Sequence, residues 1–263
     1  MPGNHEARNL AVFCDFENVA LGVRESRYAQ FDMEKVLERL LLKGSIVVKK
    51  AYCDWERYKE FKATMHGASF ELIEIPHLRQ SGKNSADIRM VVDALDLCYT
   101  KAHVDTFVIV SGDSDFSPLV SKLRENAKTV IGVGVKNSSS DLLIANCDEF
   151  IYYDDLVRAD EQKRRAAKKR RESAPAGEDK DKKQEAFDLM LETLNALIAE
   201  RGEDERIWGS MIKQALKRRK PGFNESYYGF RAFSDLLEEA EKRALIKLEP
   251  DEKSGGYLIR PAA

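Results

Sequence analysis

Two carboxylates, Asp113 and Asp115, follow the apolar run Thr106–Val110 and the break Ser111-Gly112. Acids so placed lie just past the carboxyl end of a strand, where open α/β sheets bind ligands. One of them has an alternative use as a helix N-cap, although a cap needs one oxygen acceptor rather than two acids in three residues. A second apolar run, residues 10–14, ends the same way in Asp15-Phe-Glu-Asn18. Asp87 stands in the first turn of a helical segment that can lean over the same edge, and Asn18 is near enough to join as a neutral ligand or water-positioner. Carboxylates gathered without His or Cys favour a hard, oxygen-seeking cation, Mg²⁺ or Mn²⁺. Such ions activate water and stabilise the leaving oxygen of a phosphodiester.

The elements that must hold these acids are legible as alternating strands and helices. Thr106–Val110 is β-branched or aromatic throughout, as in a strand buried on both faces. Leu119, Val120 and Leu123 then recur at helical spacing, with Pro118 tolerated in the first turn. Earlier in the chain, Phe31-Asp32 opens a helix carrying Val36, Leu37, Leu40 and Leu41, closed by Gly44. A strand is expected over 45–52, a helix from about Trp55 to His66, and a half-exposed strand over 70–75. Residues 76–85 form a polar loop holding the cations Arg79 and Lys83. Ser85 caps the next helix, whose apolar stripe reads Ile88, Val91, Val92, Leu95 and Cys98. Further strands fall at 129–135 and 150–153, with a loop and cap at 137–140. This alternation predicts right-handed βαβ units, a parallel sheet and helices on both faces, in a first domain over residues 1–158.

The 263 residues, 43% hydrophobic and 33% charged, suffice for one large domain or two smaller ones. No apolar run reaches the length of a membrane span, and the first residues lack the basic and apolar regions of a signal peptide. Cys14, Cys53, Cys98 and Cys147 are scattered, as are His5, His66, His77 and His103. That argues against a zinc site, a catalytic cysteine or disulfides, and for reduced thiols in the cytoplasm.

The net charge of −2 hides a partition: residues 159–183 carry 10 basic and 6 acidic side chains, the only net basic stretch. Its centre holds Lys163, Arg164, Arg165, Lys168, Lys169, Arg170 and Arg171 without an acid. Such a run meets phosphates, or else is a solvated linker or helix extension. The composition of 159–183 favours a linker. Over 184–263 the pattern becomes three helices and a closing hairpin, a small winged helix-turn-helix domain.

Asp15-Phe-Glu-Asn18, Lys83-x-x-x-Asp87, Ser111-Gly-Asp-Ser-Asp-Phe116 and Ser140-x-x-Leu143 with Asp148-x-Phe150 together resemble the NYN domain, a PIN-like nuclease family that includes LabA-type proteins. The resemblance covers nearly all of residues 8–155. It implies a metal-dependent nuclease, usually acting on RNA, with Asp15, Asp87, Asp113 and Asp115 as metal-binding catalytic acids and Asn18 beside the first. Asp93 falls where the family also favours an acid, with a structural hydrogen bond as the other reading, and Asp141 is a further candidate ligand. Residues 185–260, through Pro221-Gly-Phe-Asn-Glu-Ser-Tyr-Tyr-Gly-Phe and Gly256-Tyr-Leu-Ile259, resemble the LOTUS (OST-HTH) module, which binds RNA or a protein partner. There Lys213, Lys217, Arg218, Arg219 and Lys220 would offer a basic face beside Phe223 and Tyr227, unless those aromatics belong to the core. DNA stays open as a substrate. Two functions follow: a Mg²⁺- or Mn²⁺-dependent ribonuclease, or an RNA-binding adaptor of the same fold with little or no cleavage.

Overall fold

In the computed structural model of the protein, the described residues are 8–26, 28, 30–75, 85–171, 178–202, 205–251 and 256–262. The chain divides into two units, residues 1–166 and 167–263.

The first unit is organised by apolar runs that become the strands of one sheet. β1 (Arg8–Asp15), β2 (Gly44–Cys53), β3 (Glu71–Glu74), β4 (Thr106–Val110), β5 (Thr129–Gly134) and β6 (Glu149–Tyr152) pair in the order β3-β2-β1-β4-β5-β6. Every pairing is parallel. The central strands are covered on both faces, which is why their sequences are nearly uninterrupted apolar runs. On one face α1 (Phe16–Glu25), α2 (Met33–Lys43) and α3 (Lys59–Gly67) enclose a core that includes Leu10, Val12, Val36, Leu40 and Val108. Phe16 is its aromatic centre, 5.1 Å from Trp55 and 5.0 Å from Phe61 between ring centroids. Such pairs add about 0.5–1.5 kcal/mol each beyond area burial. On the other face α4 (Ser85–Thr100), α5 (Ser117–Glu125) and α6 (Asp141–Asn146) cover Phe13 and Phe107, whose rings stack at 6.0 Å.

One element was not foreseen and two local expectations change. Phe16–Glu25 is a helix: Asp15 caps it, and Phe16, Val19 and Val23 point inward at helical spacing. That spacing stands in the sequence but is overshadowed by the acids within it. In α4 the buried stripe is Met90, Ala94 and Cys98, whereas Ile88 and Val92 are exposed. Met90, Ala94 and Cys98 join Phe13 and Phe107 in that layer, with Val91 and Leu95 packed at its side. Finally, the basic segment begins as helix, because α7 (Tyr153–Arg171) runs through it before α8 (Glu178–Arg201) starts the second unit's main elements.

In the second unit α8, α9 (Gly209–Arg219) and α10 (Phe233–Lys242) precede the antiparallel hairpin β7 (Ile246–Pro250) and β8 (Tyr257–Pro261). Trp208 adds an antiparallel bridge to Leu258. Three helices and a short β wing is the winged helix-turn-helix architecture. Phe187, Met190, Leu194, Ile212, Leu216, Leu236 and Leu237 are buried in it. Gly229 ends the turn Glu225–Tyr228 at φ 82°, a left-handed conformation in which a Cβ would be strained. Among the described residues no helix is long and apolar enough to cross a membrane.

Candidate active site at the carboxyl edge of the sheet

The strand order reverses direction between β1 and β4: from β1 the chain moves outward to β2 and β3, and from β4 to β5 and β6. Such a switch point opens a crevice beyond the strand ends, where doubly wound sheets bind ligands. Cys14 pairs with Val110, so Asp15 and Ser111 leave the sheet side by side. Asp15 is 8% exposed, Ser111 fully buried, Asp113 half-buried and Asp115 exposed.

Ser111 joins the two strand ends. Its hydroxyl donates to Asp15 Oδ2 at 3.0 Å, and its Oγ accepts from the Asp113 backbone N–H at 3.2 Å. Asn18, one turn into α1, accepts from the Gly112 N–H at 2.9 Å through its side-chain carbonyl. Its own N–H donates to Asp15 Oδ1 at 3.4 Å, the N-cap bond of α1. Asp113 caps the 3₁₀ turn Ser114–Phe116 by accepting from Asp115 N–H at 3.0 Å. The capping alternative therefore holds for Asp113 and also for Asp15; Asp113 spends Oδ1 on its cap, whereas Asp15 spends Oδ1 on its cap and Oδ2 on the Ser111 hydroxyl. Gly112 is required by close approach, since a Cβ there would lie 2.3 Å from the Ser138 carbonyl oxygen. Ser140 N–H donates to Gly112 O at 2.9 Å, so the loop after β5 is fastened over the end of β4.

Electrostatics mark Asp15. Burial, then repulsion from Asp87, pushes its carboxyl up to about 7, with a smaller push from Asp113; the bonds from Ser111 and Asn18 pull the other way. Asp87, from the first turn of α4, therefore acts on the same point as the two strand ends. Among the described residues no three His, Cys, Asp or Glu side chains stand close enough to form a ready metal-ligand group. The donor chemistry nevertheless fits a hard divalent cation: the acids offer only oxygen ligands, and a cation would offset both the burial and the Asp87 repulsion that hold Asp15 near neutrality.

The remaining candidates separate. Asp93 accepts from Tyr52 Oη at 2.8 Å and Arg89 Nε at 3.0 Å, and Lys50 Nζ lies 3.4 Å away, a structural cluster. Asp141 is exposed at the start of α6. Arg79 and Lys83 lie outside the described residues, as do the side chains of Lys163, Arg164, Arg165, Lys168, Lys169, Arg170 and Arg171 on α7.

On α9, Arg219 does not join a basic face: its side chain is 6% exposed and donates to Glu192 at 3.0 Å and Thr193 at 3.2 Å. Lys213 pairs with Glu225 at 3.1 Å, and Arg218 is half-buried. Lys217 and Lys220 are exposed. Phe223 belongs to the core, whereas Tyr227 is 63% exposed. Ser111 and Gly112 stand in the motif Ser111-Gly-Asp-Ser-Asp-Phe116, directly after the strand, but sequence reasoning assigned neither a role in the site.

A six-stranded parallel sheet with acids at the carboxyl ends of β1 and β4 and in the first turn of α4 is consistent with a PIN-like, nuclease-type domain. Residues 9–154 match the NYN domain, and the chain belongs to that family. An uncharacterized protein of Methanocaldococcus jannaschii is 27% identical over 132 residues, 50% of this chain and 52% of its own length. Meiosis regulator and mRNA stability factor 1 of Xenopus tropicalis is 26% identical over 148 residues, 56% of this chain and 9% of that protein. The chain thus spans at most about half the length of these relatives. A crystal structure of a protein of unknown function from Vibrio parahaemolyticus superposes with a TM-score of 0.51 at 28% identity, covering 59% of this chain and 98% of that one.

Proposed function

We propose that this chain is a metal-dependent ribonuclease. The observation that carries the reading is the hydrogen-bonded link Asp15–Ser111–Asp113 at the switch point, with Asp87 pressing on Asp15. Asp15, Asp87, Asp113 and Asp115 would hold Mg²⁺ or Mn²⁺, which supplies an activated water and charge neutralisation at the leaving oxygen. Ser111 keeps Asp15 and the Asp113 backbone in register. With its carbonyl committed to Gly112, Asn18 has its amide N–H₂ to offer a phosphate oxygen or the attacking water. The frog relative's name, an mRNA stability factor, supports RNA over DNA as the substrate.

In this reading residues 1–158 are the catalytic domain, 159–183 a connecting basic segment, and 184–263 a LOTUS-type module that recruits RNA or a protein partner. Exposed Lys217, Lys220 and Tyr227 suit single-stranded RNA, through phosphate contact and base stacking. The competing reading, an RNA-binding adaptor without cleavage, has the same fold, and in its favour the acids form no ready ligand group among the described residues.

The deciding experiment incubates the protein with labelled single- and double-stranded RNA and DNA in Mn²⁺, Mg²⁺ or EDTA, beside Asp113→Asn. Metal-dependent RNA cleavage abolished by Asp113→Asn supports the ribonuclease. Tight RNA binding without cleavage in either metal supports the adaptor.

A further inference from the structure

Beside the acids, Ser114, Asp115, Ser117, Pro118, Ser121 and Leu142 line an open groove of about 470 Å³. That volume lies within the range of small-ligand sites. Its walls are chemically divided. Leu142 is 58% exposed and Pro118 is exposed, giving an apolar surface that the fold leaves uncovered. The other walls are three hydroxyls and the Asp115 carboxylate. Ser117 is 6% exposed, and among the described residues its hydroxyl has no hydrogen-bond partner. The Ser117 hydroxyl is closed to solvent, so half-buried Ser114 and exposed Ser121 are the serines that a ligand in the groove meets. The groove adjoins the candidate centre directly, because the Asp115 N–H is bonded to Asp113 Oδ1.

We propose that this groove is a nucleobase subsite that holds the base next to the scissile phosphate, its flat face against Pro118 and Leu142 and its polar edge toward the Ser114 and Ser121 hydroxyls and Asp115. The proposal rests on the ribonuclease reading and deepens it. An apolar wall facing hydroxyls suits a ring with a planar face and a polar rim. The Asp115 oxygen that is not spent on the cation is a pure acceptor and favours bases with an exocyclic amine. Adenine, cytosine and guanine carry one; uracil does not.

The test uses the full chain in EDTA, so that nothing is cleaved, with single-stranded oligoribonucleotides bearing one photoreactive base at successive positions. One position should crosslink to the peptides holding Pro118 or Leu142. Ser121→Phe, a substitution at an exposed position that fills the groove, should abolish that crosslink, and Leu142→Ala should weaken it if Ser121→Phe fails to fold. In Mn²⁺, an abasic residue at the same position should slow cleavage about tenfold in the unmodified protein and hardly at all in Ser121→Phe. Crosslinks confined to other peptides, or spread evenly along them, overturn the proposal even where cleavage is intact. Groove crosslinks without cleavage in any metal leave the subsite standing and remove the ribonuclease reading.

Discussion

The Ser111 hydroxyl donates to Asp15 Oδ2 across 3.0 Å, from a residue 96 positions away on the neighbouring strand end. This bond favours the ionised form of a carboxylate that burial and the Asp87 charge hold near neutrality. Ser111→Ala should therefore push the Asp15 carboxyl higher still and move the acidic limb of the pH–rate profile upward. It should also cost about 1–2 kcal/mol of stability by leaving Asp15 short of a donor. Ser111→Thr should restore both. An unchanged pH limb would show that Ser111 is only filler.

Metal-free stability should depend on pH through Asp15. The folded protein holds this proton up to about pH 7, while the ordinary carboxyl releases it near 3.8. Across that interval the folded state binds more protons, so this contribution is full below the lower value and is lost as pH rises through the upper one. In EDTA, Asp15→Asn should flatten the fall and raise Tm at pH 8, with a gain of about 1 kcal/mol. Mn²⁺, which needs the ionised acid, should raise the Tm of the unmodified protein more at pH 8 than at pH 6. Thermal scans at both pH values test each part.

Asp93 should behave in the opposite sense. Burial raises its carboxyl, but the Tyr52 hydroxyl, Lys50 and Arg89 outweigh that and hold it below its ordinary value. Its contribution is present above the ordinary carboxyl range and lost as pH falls through the lowered value. Asp93→Ala should destabilise the fold by about 3 kcal/mol, because it leaves Lys50 and the Tyr52 hydroxyl short of a partner. The turnover of the protein that remains folded should be unchanged. A selective loss of turnover would place Asp93 in the chemistry.

Gly112→Ala would put a Cβ 2.3 Å from the Ser138 carbonyl oxygen, with backbone rather than a flexible side chain in the way. The loop over β4 must then shift, at about 1–3 kcal/mol. That shift also pulls the Gly112 N–H from Asn18. Urea unfolding should show the loss of stability, and cleavage should fall further than the folded fraction does.

On α9, neutralising exposed Lys217 and Lys220 should weaken RNA binding and lower its salt slope, by about 0.7 for each single-strand phosphate that a lysine no longer neutralises. Arg219→Gln should instead destabilise the second unit, because Arg219 is buried against Glu192 and Thr193. Fluorescence anisotropy over a salt series, beside thermal melts, separates the two. An unchanged salt slope in the lysine variants would direct this module toward a protein partner.

Much of this protein is determined locally. Unbroken β-branched runs suit strands buried on both faces, and their alternation with helical periodicity points to a parallel sheet. Asp15, Asp113 and Asp115 stand at the strand ends because an apolar run ends where they begin. The tertiary structure alone decided which strand ends meet. Nothing local in residues 10–14 specifies that they pair with residues 106–110, yet that pairing brings Ser111 to Asp15 and creates the switch point. It also decided burial. The α4 stripe Ile88, Val91, Val92, Leu95 and Cys98 was expected inside. Cys98 is buried and Val91 and Leu95 are half-buried, but the helix is rotated so that Met90 and Ala94 meet the layer of Phe13 and Phe107 while Ile88 and Val92 face outward. Arg219 likewise reads as one more cation in a basic run until α8 brings Glu192 and Thr193 to it. Chain chemistry set what each residue offers, and packing between segments far apart in sequence set which offers are taken up.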